Sequence, residues 1–160
     1  MTTPAPAVYI GLDVGKSDHH AVALTSNGET VYDKALPNDE TRLRAILDEL
    51  LKTHGPVLLV VDQPATIGAL PVAVAQSCAG VEVAYLPGLA MRRIADLHPG
   101  SAKTDARDAA IIAEAARTMP HTLRAFASMT SRSLSWPCSP ALTMISPPRS
   151  PRPPTGCAGC

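Results

Sequence analysis

The hydrophobic period of this chain changes several times, and each change marks an element. Val8 to Val14 is an extended, largely apolar run, and Gly15 lets the chain turn through the polar tip Lys16-Ser17-Asp18. His20 to Thr25 predicts a second strand, Ser26-Asn27-Gly28 a hairpin turn and Glu29 to Leu36 a third strand, so the three form a meander. Behind Asn38 or Asp39 as a cap, Leu43, Ile46, Leu47, Leu50 and Leu51 recur at helical spacing until Gly55-Pro56 stops them. Val57 to Val61 is a continuous run of Val and Leu, the pattern of a strand covered on both faces. Ile67 to Ala79 predicts a helix closing at Gly80, and Val81 to Leu86 another buried strand, broken by Pro87-Gly88. A short helix follows from Leu89 to Leu97, ended by His98-Pro99-Gly100. Thr104 or Ser101 caps the longest helix, which runs through Ala109, Ile112, Ala113 and Ala116 to about Thr118, ahead of Pro120.

The resulting order, β-β-β-α-β-α-β-α-α, predicts an α/β fold. Three antiparallel strands followed by parallel strands with helical crossovers describe a ribonuclease-H-like mixed sheet with helices on both faces and the first strand at its centre. Residues 8–126 form this domain, preceded by a disordered stretch, 1–7. After Phe126 the composition shifts: residues 127–160 hold seven of the sixteen Pro, seven Ser and three of the four Cys, with no acid and no Lys. No periodicity survives there, which predicts disorder, and Pro, Arg, Ser, Ala, Gly and Cys are what GC-rich DNA encodes out of frame.

Composition narrows the function classes. The chain has 160 residues, one domain's worth, and its aromatic share is only 3%, so stacking on single-stranded nucleic acid is not its expected binding mode. Fourteen basic residues balance fourteen acidic ones, which removes any bulk electrostatic argument for a partner. No acid follows Glu114, however, so the part up to Phe126 is mildly acidic. With no uninterrupted apolar span of about 20 residues and no signal-peptide pattern, the expected compartment is the cytoplasm, with no membrane contact. Cys157 and Cys160 have the spacing of a zinc half-site, but no second pair or nearby His completes it.

The chemistry lies in carboxylates. Asp13 stands inside an apolar strand, where an unpartnered charge is costly to bury. Asp62 follows the fourth strand, which the topology places beside the first, so the two side chains can converge on a divalent cation. Asp105 and Asp108, spaced i, i+3, share one helix face. If that face covers the ends of both strands, four carboxylates meet, and one or two Mg²⁺ (or Mn²⁺) ions would relieve their repulsion. Two such ions, roughly 4 Å apart, can activate an attacking oxygen and stabilise a leaving oxygen of a phosphodiester. Lys103 precedes a helix N-terminus and could help hold a phosphate. Lys16, Arg92, Arg93 and Arg107 are the other candidate nucleic-acid contacts, although Lys16 reads more readily as a solvated side chain and Arg92 and Arg93 as a solvated helix face. His19 and His20 read as surface residues.

Four strings carry a resemblance: Gly11-Leu12-Asp13-Val14-Gly15-Lys16 with His19 following, Val60-Val61-Asp62-Gln63-Pro64-Ala65-Thr66-Ile67-Gly68-Ala69, Val83-Ala84-Tyr85-Leu86-Pro87-Gly88, and Ala102-Lys103-Thr104-Asp105-Ala106-Arg107-Asp108-Ala109 with Ile112-Ala113. In this order, over about Val8 to Arg124, they resemble the amino-terminal domain of the insertion-sequence one-ten family of transposases. The resemblance implies a RuvC-like fold, an acidic Asp-Glu-Asp-Asp tetrad, Mg²⁺ dependence and recombination of DNA guided by a structured RNA that the element encodes. The tetrad would be Asp13, Asp62, Asp105 and Asp108, with Asp62, one methylene shorter, where the family pattern has Glu. The family's serine nucleophile belongs to a second domain with no counterpart here, which implies an incomplete enzyme and leaves activity open.

Three other readings compete. A RuvC-type resolvase nuclease shares the fold and the carboxylates. An actin-like or sugar-kinase-like ATPase shares the Gly-x-Asp-x-Gly start but needs a second phosphate loop and an adenosine motif, and neither is found. A binding-only fragment, alone or as a homo-oligomer, is the non-enzymatic alternative.

Overall fold

The computed structural model describes residues 5–97 and 104–126. The expectations for Lys103, for a helix stop at residues 98–100, for Ser101 as a cap and for the tail with Cys157 and Cys160 lie outside the described residues.

Among the described residues six strands form one sheet, in the order β3-β2-β1-β4-β5-β6. They are β1 (Val8–Asp13), β2 (Asp18–Thr25), β3 (Thr30–Pro37), β4 (Val57–Val61), β5 (Val81–Tyr85) and β6 (Arg124–Ala125). β1 pairs antiparallel with β2 and parallel with β4, and so occupies the centre. β2–β3 is antiparallel and β4–β5 parallel, giving the ribonuclease-H-like arrangement that the order of elements implies. β6, antiparallel to β5, is absent from the sequence reading, because two exposed residues carry no periodicity.

Among the described residues four α-helices cover the sheet: α1 (Glu40–His54), α2 (Ala69–Ser77), α3 (Gly88–Leu97) and α4 (Asp105–Thr118). Asp39 caps α1, its Oδ1 accepting from the Arg42 N–H at 2.9 Å, and Gly55 ends it at φ 102°, which an L side chain rarely adopts. The helix expected from Ile67 begins instead with a 3₁₀ turn, Thr66–Gly68, and becomes α-helical at Ala69. Strand alternation assigns the two faces. Val8, Ile10 and Leu12 join Leu43, Leu47 and Leu50 of α1 and Val72, Val74 and Ala75 of α2 in one core. On the other face Leu58 and Val60 pack with Ile111, Ile112 and Ala115 of α4 and Ile94 of α3. β4, filled by Val and Leu, is buried on both faces, the expected state of a parallel strand between helical layers.

Gly11 sets how closely α4 approaches. A Cβ there would stand 2.1 Å from the Ala109 carbonyl oxygen and 2.4 Å from the Ala113 nitrogen, so the helix backbone lies directly on the central strand. This contact seats the first half of α4 over β1 and so positions the helix N-terminus. Among the described residues no helix is long and apolar enough to cross a membrane.

Candidate metal centre

Asp13 ends β1, and Asp62 immediately follows β4. The last register pair of the two strands is Leu12 and Val61, so the two aspartates are the next positions of adjacent parallel strands. Leu12 and Val61 face the α1–α2 core, and alternation therefore puts Asp13 and Asp62 on the α4 face. A hydrogen bond joins the two strand ends there: the Val14 N–H donates to Asp62 Oδ1 at 3.3 Å. Asp62 Oδ2 accepts from Gln63 Nε2, also at 3.3 Å. Both aspartates are half-buried.

Each of the loops carrying these residues away is held by a close glycine contact. A Cβ at Gly15 would meet the Asp18 carbonyl oxygen at 2.1 Å, and one at Gly68 would meet the Gln63 carbonyl oxygen at 1.9 Å. The second loop also contains Thr66 at φ 55°, a left-handed conformation that a β-branched residue adopts at a cost of roughly 1–3 kcal/mol. The loop behind Asp62 is thus tightly specified.

α4 runs antiparallel to β1. A Cβ at Gly28, in the hairpin that follows Thr25, the register partner of Val8, would stand 3.4 Å from the Arg117 guanidinium near the helix C-terminus, whereas Ala109 and Ala113 lie over Gly11. The helix N-terminus therefore points towards the Asp13 end of the strand. Asp105 lies one turn before Ala109 and Asp108 one turn before Ile112, so both continue the stripe that α4 buries against the sheet. Thr104 starts the helix, its Oγ1 accepting from the Arg107 N–H at 3.2 Å. Asp105 is exposed and Asp108 half-buried.

The fold thus brings the four aspartates to one end of one face. It does not draw them into a finished site: among the described residues no three His, Cys, Asp or Glu side chains form a cluster able to hold a metal ion. The donor chemistry nonetheless suits a hard divalent cation, since it offers carboxylate oxygens and no sulfur.

The basic candidates are placed less closely. Lys16 is exposed at the β1–β2 tip, Arg92 and Arg93 are exposed on α3, and Arg107 is half-buried in the first turn of α4. His19 corrects its surface reading. It is 2% exposed, with Nε2 3.0 Å from Asn38 Oδ1, and so ties β2 to the residue ahead of the α1 cap. The alternation of β2 is the signal, because Ala21 and Ala23, on the same face, are core residues. His20 was missed as a neighbour of the site. It is the register partner of Asp13 across β1 and β2, and its Nε2 lies 2.7 Å from Asp33 Oδ1. Only the strand register reveals this, because the length of the β1–β2 turn is not legible from residue types.

Known proteins supply a family, two relatives and a solved structure for comparison. A transposase family, the DEDD group of IS110 type, matches residues 10–135. The insertion element IS110 uncharacterized 43.6 kDa protein of Streptomyces coelicolor is 67% identical over 117 residues, 73% of this chain and 29% of that protein. The corresponding IS900 42 kDa protein of Mycobacterium paratuberculosis is 34% identical over 122 residues, 75% of this chain and 30% of its own length. The chain therefore spans less than a third of these relatives. Among solved structures, T. thermophilus RuvC in complex with Holliday junction substrate aligns at 16% identity and a TM-score of 0.49, covering 74% of this chain and 99% of that one. The strand order carries the fold assignment without it.

Proposed function

The chain belongs to the DEDD transposase family of IS110 type, and on that premise we propose that residues 8–126 are its metal-dependent, DNA-processing domain, acting in DNA transposition in the cytoplasm. The observation that carries this is the junction of β1 and β4, where Asp13 and Asp62 follow register partners and a backbone N–H of one strand end holds the carboxylate of the other.

In this reading Asp13, Asp62, Asp105 and Asp108 hold Mg²⁺ or Mn²⁺. When bound, the cation would polarise a phosphodiester and activate the oxygen that attacks it. The protein's own part is positional. The Val14 N–H holds one oxygen of Asp62 and the Gln63 amide the other, whose second lone pair remains for a cation, so the shorter side chain acts from a set direction. Gly11 lets α4 lie low enough for Asp105 and Asp108 to reach the same end of the sheet. Lys16, Arg92, Arg93 and Arg107 lie at that end or on its neighbouring helices, and these four, together with Lys103 outside the described residues, are proposed to contact the phosphates of DNA or of a structured guide RNA. A homo-oligomer is the expected working form, because recombination joins two DNA ends.

The test uses the full chain. Isothermal titration with Mg²⁺ and Mn²⁺, and DNA-binding measurements, would compare the wild type with Asp13→Asn. Metal affinity should fall by at least about tenfold, the range seen when a ligand's support is lost. Equal affinity in the two proteins would end the assignment of the site, whereas metal-stimulated ATP hydrolysis would favour an ATPase.

A further inference from the structure

Resting on the metal-centre reading above, we propose that His20 supplies a nitrogen donor to the same centre, oriented by Asp33, and biases it towards transition cations over Mg²⁺. Three observations support this. First, Asp13 and His20 are opposite one another in the antiparallel β1–β2 register, so their side chains share a face, with Cβ atoms roughly 4.5–5.5 Å apart for such pairs. That face is the α4 face, because Val22 and Leu24, two and four residues further along β2, pack against Ala109 and Ala113. Secondly, His20 Nε2 lies 2.7 Å from Asp33 Oδ1. An ionised carboxylate only accepts, so Nε2 carries the hydrogen, and in that tautomer the ring's lone pair is on Nδ1. Thirdly, the His20 side chain is 19% exposed against 55% for Asp33, so the imidazole is the inner member of the pair.

A histidine that ligates a metal typically donates its other ring N–H to a carboxylate, which sets the tautomer and strengthens the donor. His20 and Asp33 have this arrangement beside the strand end that bears Asp13. Asp33 is the positioning residue of the pair. An imidazole among carboxylates raises affinity for Co²⁺ more than for Mg²⁺, which favours an all-oxygen shell.

The experiment titrates the full chain with Mg²⁺, Mn²⁺ and Co²⁺, following heat and the visible absorption of Co²⁺. The proteins are the wild type, His20→Gln, Asp33→Asn and Asp13→Asn. His20→Gln should weaken Co²⁺ binding by about 10- to 100-fold and alter the Co²⁺ spectrum while changing Mg²⁺ affinity by less than about twofold. Asp33→Asn, which keeps the imidazole, should give a smaller loss for Co²⁺. Unchanged Co²⁺ affinity and spectrum in His20→Gln, with binding still lost in Asp13→Asn, overturns the role of His20 and leaves the centre standing. No effect of Asp13→Asn on any cation overturns both. Should His20→Gln fail to fold, the wild-type imidazole resonances decide: Mn²⁺ must broaden those of His20 preferentially, and equal broadening of half-buried His54 and exposed His121 overturns the proposal.

Discussion

A methyl group at Gly11 would stand 2.1 Å from the Ala109 carbonyl oxygen, and neither partner can yield, since both belong to backbones in regular hydrogen-bonded elements. Gly11→Ala should therefore lift the first half of α4 from β1. The expected loss is about 3 kcal/mol, the upper end of the overpacking range, read as a lower midpoint in chemical denaturation. A midpoint within error of the wild type would mean that α4 does not lie so close. Glu82 presents a different residue-scale effect. Burial in β5 raises its pKa above the ordinary 4.5, so ionising it is harder in the folded than in the unfolded chain. Stability is then fully present below the unfolded value and declines as pH rises through the folded one. Glu82→Gln should match the wild type in acid and become the more stable protein above about pH 4.5, by no more than about 0.5 kcal/mol. Thermal melts at several pH values check the sign, and a variant that loses ground as pH rises would contradict it.

At the scale of elements, α4 links packing to chemistry. Its C-terminal end is pinned by Arg117, whose Nε and Nη2 both bond Glu114, at 3.1 and 2.5 Å. Its N-terminal end depends on the Thr104 hydroxyl, which accepts from Arg107. Thr104→Ala removes that acceptor and should cost about 1 kcal/mol of stability by denaturant titration. The same change frees the turn that carries Asp105 and Asp108, so metal affinity should fall with it. Thr104→Ser, which keeps the hydroxyl, should restore both. Much of this element was legible in the residues. Ala109, Ile112, Ala113 and Ala116 announced the helix and its buried stripe, and Asp105 and Asp108 their shared face. The 3₁₀ turn at Thr66 and the short β6 were not legible. The first depends on a left-handed residue favoured by surrounding contacts, the second on pairing with a strand about forty residues earlier in the chain.

For the whole molecule, a cation bound only by the folded state must stabilise it. At a free Mg²⁺ concentration of about 100 times Kd, the gain is about 2.7 kcal/mol. Thermal unfolding should therefore shift upwards with Mg²⁺ in the wild type and not in Asp13→Asn. A shift of equal size in both would place the cation elsewhere.

The sequence by itself determined the kinds of element, their order and the carboxylates, because hydrophobic period and capping chemistry are local. Leu43 to Leu51 is helical and Val57 to Val61 extended for reasons contained within each stretch. The order of those elements then admitted few sheets, and the sheet with β1 at its centre is the one observed. What only the tertiary structure decided is register and facing. The Val14 N–H bonds Asp62 and so ties the end of β1 to the end of β4, and His20 stands opposite Asp13, because strand ends and turn lengths fix which residues align. His19 and His20, neighbours in the chain, part to opposite faces of β2, one closed into the α1 core and one beside the carboxylates. A strand's two-residue period makes that separation certain once the register is set, and the register comes from pairing partners far apart in the chain.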